Sequence, residues 1–375
     1  MSTIASRLAV LDAVPDTPAV VIDRGVLQRN IDAMAADAKA GGKALRPHAK
    51  THKMVAVARM QLAAGSRGLQ VAKIGEAEAL LPSGVDDIFI GYPIVGAAKI
   101  ARLLALAERV RVSVSLDDLA VAEPISRAAA ARGMRIPVLL EINTGMDRVG
   151  VTPDRAVETA RRLADLPGLE LRGVKTHEGQ ALSRSSTVAE TEREAYAACA
   201  LMVETAEAIR AAGLPAPEVS LGCTGTARFD VRAPGVTEVR PGTYVFYDAT
   251  QVAHGQATLE DVAAWVIATV VSRPDAERAV VDAGSKVLSS DRLNQRDAPP
   301  IVGRLVDRPD HHVVRVNEEH GVIATPPGAQ LRIGDRVAIV PSHICPVVNL
   351  TDEVLVAEDG ALVDTWRVDA RGRVR

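Results

Sequence analysis

Lys50 sits in the octapeptide Arg46-Pro47-His48-Ala49-Lys50-Thr51-His52-Lys53, between two histidines at the end of an apolar run. An amine is a nucleophile only when unprotonated, and neighbouring cations or a drier environment favour that form. The stretch is therefore a candidate for covalent chemistry at Lys50. Clustered Lys, Arg and His also make solvated basic faces or anion sites, so the place of this lysine in the fold has to decide.

Other segments carry reactive groups. Glu141-Ile142-Asn143-Thr144-Gly145-Met146-Asp147-Arg148-Val149-Gly150 offers a loop that can aim Arg148, or an ordinary strand-to-helix connection. In Lys175-Thr176-His177-Glu178-Gly179, His177 can stack on a planar ring, shuttle a proton or sit as a satisfied rim histidine. The small residues of Leu221-Gly222-Cys223-Thr224-Gly225-Thr226 suit a phosphate. Arg240-Pro241-Gly242-Thr243-Tyr244 can add phosphate contacts or simply form a Pro-Gly turn. In Pro341-Ser342-His343-Ile344-Cys345-Pro346, an extended backbone would put His343 and Cys345 on one face. Imidazole and thiolate there would hold one divalent ion, Zn2+ first, with Mn2+ or Co2+ as alternatives, and leave positions open for water and substrate. A buried cysteine beside an exposed histidine is the plainer reading.

These groups need a scaffold, and the chain supplies a regular one. After a strand at 19–23 and a helix at 26–39, apolar runs recur at 45–48, 69–72, 87–92, 110–116, 137–143, 171–177, 218–222 and 238–246. Amphipathic helical patterns separate most of them, at 55–64, 74–81, 97–106, 119–131, 153–165 and 189–212. Eight alternating strand and helix units predict an α/β fold with a parallel (β/α)8 barrel, whose catalytic groups collect at the C-terminal ends of the strands. Lys50, Gln70, Tyr92, Asp117, Asn143, His177, Cys223, Thr224, Arg240 and Tyr244 fall at such ends, which moves Lys50 from basic cluster to catalytic candidate. From about residue 261 the pattern changes to β-branched runs at 263–271, 279–282, 312–316, 337–339, 353–357 and 361–367, predicting a C-terminal β-rich domain without long helices.

Composition agrees with small-molecule work. The chain has 375 residues, 47% hydrophobic, with a net charge of −3. It has no polybasic block, which argues against nucleic acid and anionic membranes as partners. No apolar run is long enough for a membrane span, and Arg7, Asp12 and Asp16 interrupt the N-terminal apolar stretch. Three cysteines make no disulfide framework, so a cytoplasmic location is expected.

Together, Pro47-His48-Ala49-Lys50-Thr51-His52-Lys53, Thr144-Gly145-Met146-Asp147-Arg148-Val149-Gly150, Asp282-Ala283-Gly284-Ser285-Lys286 and His343-Ile344-Cys345-Pro346 resemble the metal-activated D-threonine aldolase and D-serine dehydratase family. Its members are pyridoxal phosphate (PLP) enzymes with an alanine racemase-like barrel. The resemblance spans roughly residues 17–366. It implies that Lys50 anchors PLP covalently, that His177 lies near the ring, and that Arg148 lies near the lysine and ring substituents. Gln70, Gly222, Thr224, Gly225, Gly242, Thr243 and Tyr244 would complete the cofactor site, Arg240 would match the racemase arginine on the pyridine nitrogen, and His343 and Cys345 would bind the metal. The implied domains are a PLP-binding barrel over 18–255 and a D-serine dehydratase-like domain formed by 1–17 with 256–375.

The substrate implied is a β-hydroxy-D-amino acid and the assembly a homodimer. His52, a metal-bound hydroxide or another base would deprotonate the β-hydroxyl for cleavage to glycine and an aldehyde. If Lys50 instead takes the α-proton, loss of water gives an oxo acid and ammonia. Cys345 resembles the dehydratase branch, whereas Pro346-Val347-Val348-Asn349-Leu350 and the 282–286 segment resemble low-specificity D-threonine aldolases. The expected activity is the aldolase, with a D-serine or D-threo-3-hydroxyaspartate dehydratase as alternative. A racemase would need a tyrosine from the β-rich domain, and none follows Tyr247; a non-catalytic PLP carrier would not need His343 and Cys345.

Overall fold

The computed structural model describes residues 8–295, 298–306, 308–328 and 330–375. Strand β1 (Ala19–Asp23) and helix α1 (Arg24–Ala40) precede a repeating series: β2 (Ala44–Leu45), α2 (Val55–Ala63), β3 (Leu69–Val71), α3 (Ile74–Leu80), β4 (Asp87–Ile90), α4 (Ala97–Ala107), β5 (Arg111–Leu116), α5 (Leu119–Ala130), β6 (Ile136–Glu141) and α6 (Pro153–Ala164). It continues through β7 (Leu169–Lys175), α7 (Gln180–Ser183), α8 (Val188–Ala211), β8 (Glu218–Leu221), α9 (Ala227–Asp230) and β9 (Glu238–Val239). The helix starts are written in the sequence. Asp118 caps α5 by accepting the Ala120 N–H, and Thr187 and Glu190 form a reciprocal box at α8.

Strands β2 to β9 form a parallel eight-stranded sheet in the order β2-β9-β8-β7-β6-β5-β4-β3. The ring closes where β2 runs on to His48, which bridges Gln70 in parallel; Gln70 N donates to Pro47 O and Ala49 N to Gln70 O, both at 2.8 Å. The expected (β/α)8 barrel is thus present. Its last strand is shorter than the expected 238–246: it stops at Val239, and Thr243–Val245 make a 3-10 turn. Pro241 has no N–H to extend the ladder, and its carbonyl instead accepts the His48 N–H at 2.9 Å.

The N-terminal end of the barrel holds a buried ion cluster. Arg46, 3% exposed, donates to Glu238 Oε2 (2.9 Å) and to Asp87 Oδ1 (2.6 Å) and Oδ2 (3.2 Å). Both carboxylates are buried, so the guanidinium is what makes their burial tolerable.

The C-terminal part is β-rich, as expected, mostly antiparallel, and richer in strands than the pattern showed. It contains α10 (Ala249–Ala253), β10 (Ala264–Asp275), β11 (Arg278–Val281), α11 (Ser285–Leu288), β12 (Leu293–Gln295), β13 (Ala298–Ile301), β14 (Gly303–Leu305), β15 (His312–Val316), β16 (Gly321–Ala324), β17 (Arg336–Pro341), α12 (Ile344–Leu350), β18 (Glu353–Glu358) and β19 (Ala361–Arg367). Nine strands order as β11-β16-β15-β14-β17-β10-β1-β18-β19, and β12 pairs with β13. The short strands β13, β14 and β16 went unread because Gly and Pro interrupt their apolar patterns, and β12 because its three residues carry only one apolar side chain.

Residues 8–32, 51–54 and 243–372 cluster in one unit, and 33–50, 55–242 and 373–375 in the other. Strand β1 pairs with β10 and β18 and so belongs to the sheet of the first unit. Val21 accordingly joins a core with Val10, Val14, Trp265, Ile267 and Val340.

Substituting Arg46→Met should cost about 3–5 kcal/mol, because it leaves buried carboxylates without their closest cation. Urea unfolding measures this, and a loss below about 1 kcal/mol would show that Arg67, 3.5 Å from Glu238, already neutralises the cluster.

Candidate active site

In the barrel unit, Lys50 comes directly after the closing contact of Ala49 with Gln70, so ring closure places it at the C-terminal mouth. It is partly exposed. Its surroundings are electropositive: the charges of Lys50, Arg148, Lys175 and Arg240 bear on the neighbouring imidazoles. Burial and then Lys50 push His48 well below the ordinary histidine range. His177 falls to about 3, through burial first and Lys50 next, against the opposing effect of Gly222. Lys175 is lowered to about 8 by burial, although its ammonium lies 2.7 Å from Glu141 Oε1.

His177 therefore stays neutral. Its Nδ1–H donates to the Gly222 carbonyl at 2.5 Å, which leaves the lone pair on Nε2. An amine among cations and neutral imidazoles fits an anionic cofactor held covalently, with PLP matching the charge and the lysine.

The loop after β8 is built for close approach. A Cβ on Gly222 would come within 2.7 Å of Arg240 Cβ, and one on Gly225 would overlap Leu182. Gly242 N donates to Thr224 Oγ1 at 3.2 Å, which joins the two expected phosphate segments. Arg240 lies below them, 3% exposed, donating to Ser220 Oγ (2.7 Å), Gln70 Oε1 (2.8 Å) and the Thr176 carbonyl. Gln70 and Arg240 therefore act together as supports for the mouth.

Arg148 follows a loop shaped by Asn143, whose Oδ1 accepts the N–H groups of Gly145 (2.9 Å) and Asp147 (3.1 Å). Asp147 takes a left-handed conformation there, φ 54°.

Five expected site residues fall in the antiparallel unit: His52, Thr243, Tyr244, His343 and Cys345. Tyr244 is fully buried and Thr243 Oγ1 is 3.7 Å from Cys345 Sγ. His52 is also fully buried, and its Nδ1 accepts the Met54 N–H at 3.0 Å. The backbone thus engages the Nδ1 lone pair of His52.

His343 and Cys345 are not on a strand, as the spacing predicted. His343 is the N-cap of α12 and Cys345 lies in its first turn, where Pro346 is tolerated because the first N–H groups lack helical partners. The helix turn still brings the two side chains together. Burial disfavours charge on His343, but its hydrogen bond with Cys345, the charges of Cys345 and Asp248, and its hydrogen bond with Asp291 raise its pKa to about 10. A metal ion bound by the pair would have to displace that proton. His343 Nδ1 lies 2.7 Å from Asp291 Oδ2, which fixes the ring and leaves Nε2 for an ion. Cys345 Sγ is 3.2 Å from Thr51 Oγ1. Among the described residues, no group of three or more His, Cys, Asp or Glu is arranged to hold a metal ion. Two protein ligands leave the remaining positions for water and substrate, so the pair fits a catalytic rather than a structural ion.

Sequence reasoning missed Asp291 and Asp248. Asp291 lies 52 positions before His343 with no spacing signal. Asp248 anchors α12 by accepting the Ile344 N–H at 3.2 Å; its place before a helix marks it only as a cap. Glu178 stood in a quoted segment without a role; it is fully buried and accepts the Gly222 N–H at 3.1 Å.

In cofactor-free protein, the His177 ring should show a titration midpoint near 3 by nitrogen NMR, against the ordinary 6.5. A midpoint close to 6.5 would mean that the cationic mouth is far better screened than its geometry implies.

Comparison with known proteins matches this two-part chain. The alanine racemase N-terminal domain model covers residues 22–250, and the putative serine dehydratase domain model covers 263–357. The chain is 35% identical to D-threonine aldolase of Arthrobacter sp over 95% of its own length and 93% of that protein. It is 37% identical to D-threo-3-hydroxyaspartate dehydratase of Delftia sp. (strain HT23), over 94% and 96%. The crystal structure of D-threonine aldolase from Filomicrobium marinum superposes with a TM-score of 0.88 at 34% identity, covering 96% of this chain and 97% of that one. No described helix is long and apolar enough to cross a membrane. A barrel closed at Gln70 with Lys50 at its mouth, joined to a β-rich part carrying His343 and Cys345, places the chain in the D-threonine aldolase and D-serine dehydratase family of alanine racemase-like lyases.

Proposed function

We propose that this chain is a PLP-dependent, divalent-metal-activated lyase of β-hydroxy-D-amino acids, with D-threonine aldolase activity that yields glycine and an aldehyde. The observation that carries the reading is the His343 and Cys345 pair in one helix turn, with Asp291 orienting the imidazole. A divalent ion there acts as a Lewis acid on a β-hydroxyl, and this selects hydroxylated substrates. PLP, when bound, supplies the electron sink for breaking a bond at Cα.

The chain's own groups do the rest. Lys50 Nζ would anchor the cofactor and, when free, would serve as a base on the Cα side. Arg148 and the other cations of the mouth attract the phosphate and the substrate carboxylate. His177, neutral and fixed through Gly222, holds the cofactor ring without adding charge. Configuration at Cα follows the D-amino acids for which the relatives are named. The expected homodimer belongs to the same proposal.

A second reading has its own support: the thiolate of Cys345 and the relative of 37% identity named as a dehydratase favour loss of water, giving an oxo acid and ammonia. Incubation with D-threonine and Mn2+, Zn2+ or Co2+ separates the two. Glycine and acetaldehyde in equal amounts support the aldolase, 2-oxobutanoate with ammonia replaces it by the dehydratase, and neither from any β-hydroxy-D-amino acid contradicts both. His343→Ala or Cys345→Ala should lower turnover about a hundredfold or more while the bound PLP colour persists.

A further inference from the structure

Beneath the loop 222–226, the barrel unit buries an acidic pair that the proposed chemistry does not use. Glu178 and Asp230 are both 0% exposed. Thr226 Oγ1 lies 2.6 Å from Glu178 Oε1 and 2.7 Å from Asp230 Oδ2. A hydroxyl has one hydrogen and can donate to only one of them, so the other contact needs a hydrogen from a carboxyl group.

One proton shared by the two carboxyls satisfies every atom, and it can sit on Asp230 Oδ2 or on Glu178 Oε1; burial and the neighbouring charge favour Asp230. Asp230 carries a proton on Oδ2 and donates it to Thr226 Oγ1; Thr226 donates to Glu178 Oε1; Glu178 Oε2 accepts the Gly222 N–H at 3.1 Å. Cys199, on α8, donates its S–H to Asp230 Oδ1 at 3.4 Å. Burial first, and then the charge of Glu178, raise Asp230 well above the ordinary carboxylate range.

The other groups facing the pair leave that proton in place. Burial and the acidic pair raise the thiols of Cys199 and Cys223, so both remain neutral. The Arg240 charge bears on Glu178, and that of Lys43 on Cys199. Gly222 is gripped from both sides, its N–H by Glu178 and its carbonyl by the Nδ1–H of His177.

We propose that Glu178, Thr226 and Asp230 form a one-proton clamp that positions the loop 222–226 for the cofactor phosphate and, through Gly222, positions His177. The ligand in this proposal rests on the PLP reading above, whereas the shared proton does not. With both carboxyls ionised, two buried anions would compete for one hydroxyl hydrogen beside a phosphate dianion, and the loop would have to move. PLP binding should therefore weaken as pH rises through the titration of the pair.

The test begins on cofactor-free protein. Difference infrared spectroscopy at neutral pH should show the carbonyl band of a protonated carboxylic acid, and Asp230→Asn should remove it. No such band in the unsubstituted protein, or one that survives Asp230→Asn, overturns the clamp. PLP is then titrated into each form, with circular dichroism as a check of folding. Asp230→Asn keeps a neutral donor and acceptor, so its affinity should stay within about threefold and lose its pH dependence, whereas Thr226→Val should bind about tenfold more weakly, the size of one lost hydrogen bond to a charged group. A folded Asp230→Asn that binds as weakly as Thr226→Val overturns the proposal. If Thr226→Val does not fold, Thr226→Ser must bind like the unsubstituted protein, and failure there counts against the clamp. A carboxylic acid band with no PLP bound to any form would overturn the cofactor reading instead.

Discussion

The ring of parallel strands is held shut along a short seam, where Arg67 N donates to Leu45 O at 2.9 Å and Gln70 makes the remaining contacts. Gln70 gives its backbone N–H to Pro47 and its carbonyl to Ala49, and its side-chain oxygen takes a hydrogen bond from Arg240. Its amide nitrogen lies so near Gly91 that a Cβ there would overlap it. The first contacts close the barrel and deliver Lys50 to the mouth. The third ties the closing strand to Arg240, which in turn holds Ser220 and Thr176 at the ends of the opposite strands. A sheet left open at this seam would leave Lys50 on a flexible edge, and the positive mouth around it would disperse.

The two ends of the barrel treat charge in opposite ways. At the N-terminal end Arg46 is matched by Asp87 and Glu238, which is the usual solution for ions out of water. At the mouth, Lys175 has Glu141, but Lys50 and Arg148 add positive charge that the imidazoles register as depressed proton affinity. A folded chain tolerates such an imbalance where an anion completes it. Neutral histidines suit this arrangement because they add hydrogen-bonding capacity without further repulsion.

Much of this was legible in the sequence. The alternation of apolar runs and amphipathic helices announced the barrel, since strands buried on both faces read as continuous hydrophobic segments. Lys50 was visible because a strand end and a basic cluster coincided there. The pairing of His343 with Cys345 was visible for a reason that proved different from its geometry: the two converge across a helix N-terminus, whereas a period of two had implied a strand. Spacing alone cannot separate these, because a capping residue and the first turn also bring i and i+2 close. Asp291, Asp248 and Asp230 were out of reach, since each acts through a partner that only the folded backbone supplies. Of the short strands between 293 and 324, only the one at 312–316 was legible; the others lacked a pattern, their pairing being set by neighbours rather than by their own residues.

The central claim is that Lys50 is the covalent anchor of PLP, and one measurement bears on it most directly: borohydride reduction of the PLP-loaded protein followed by mass spectrometry of its peptides. A phosphopyridoxyl group on Lys50 alone, absent from Lys50→Ala, is the predicted result. Modification of Lys53 or Lys175 instead, or undiminished labelling of the Lys50→Ala protein, would contradict it.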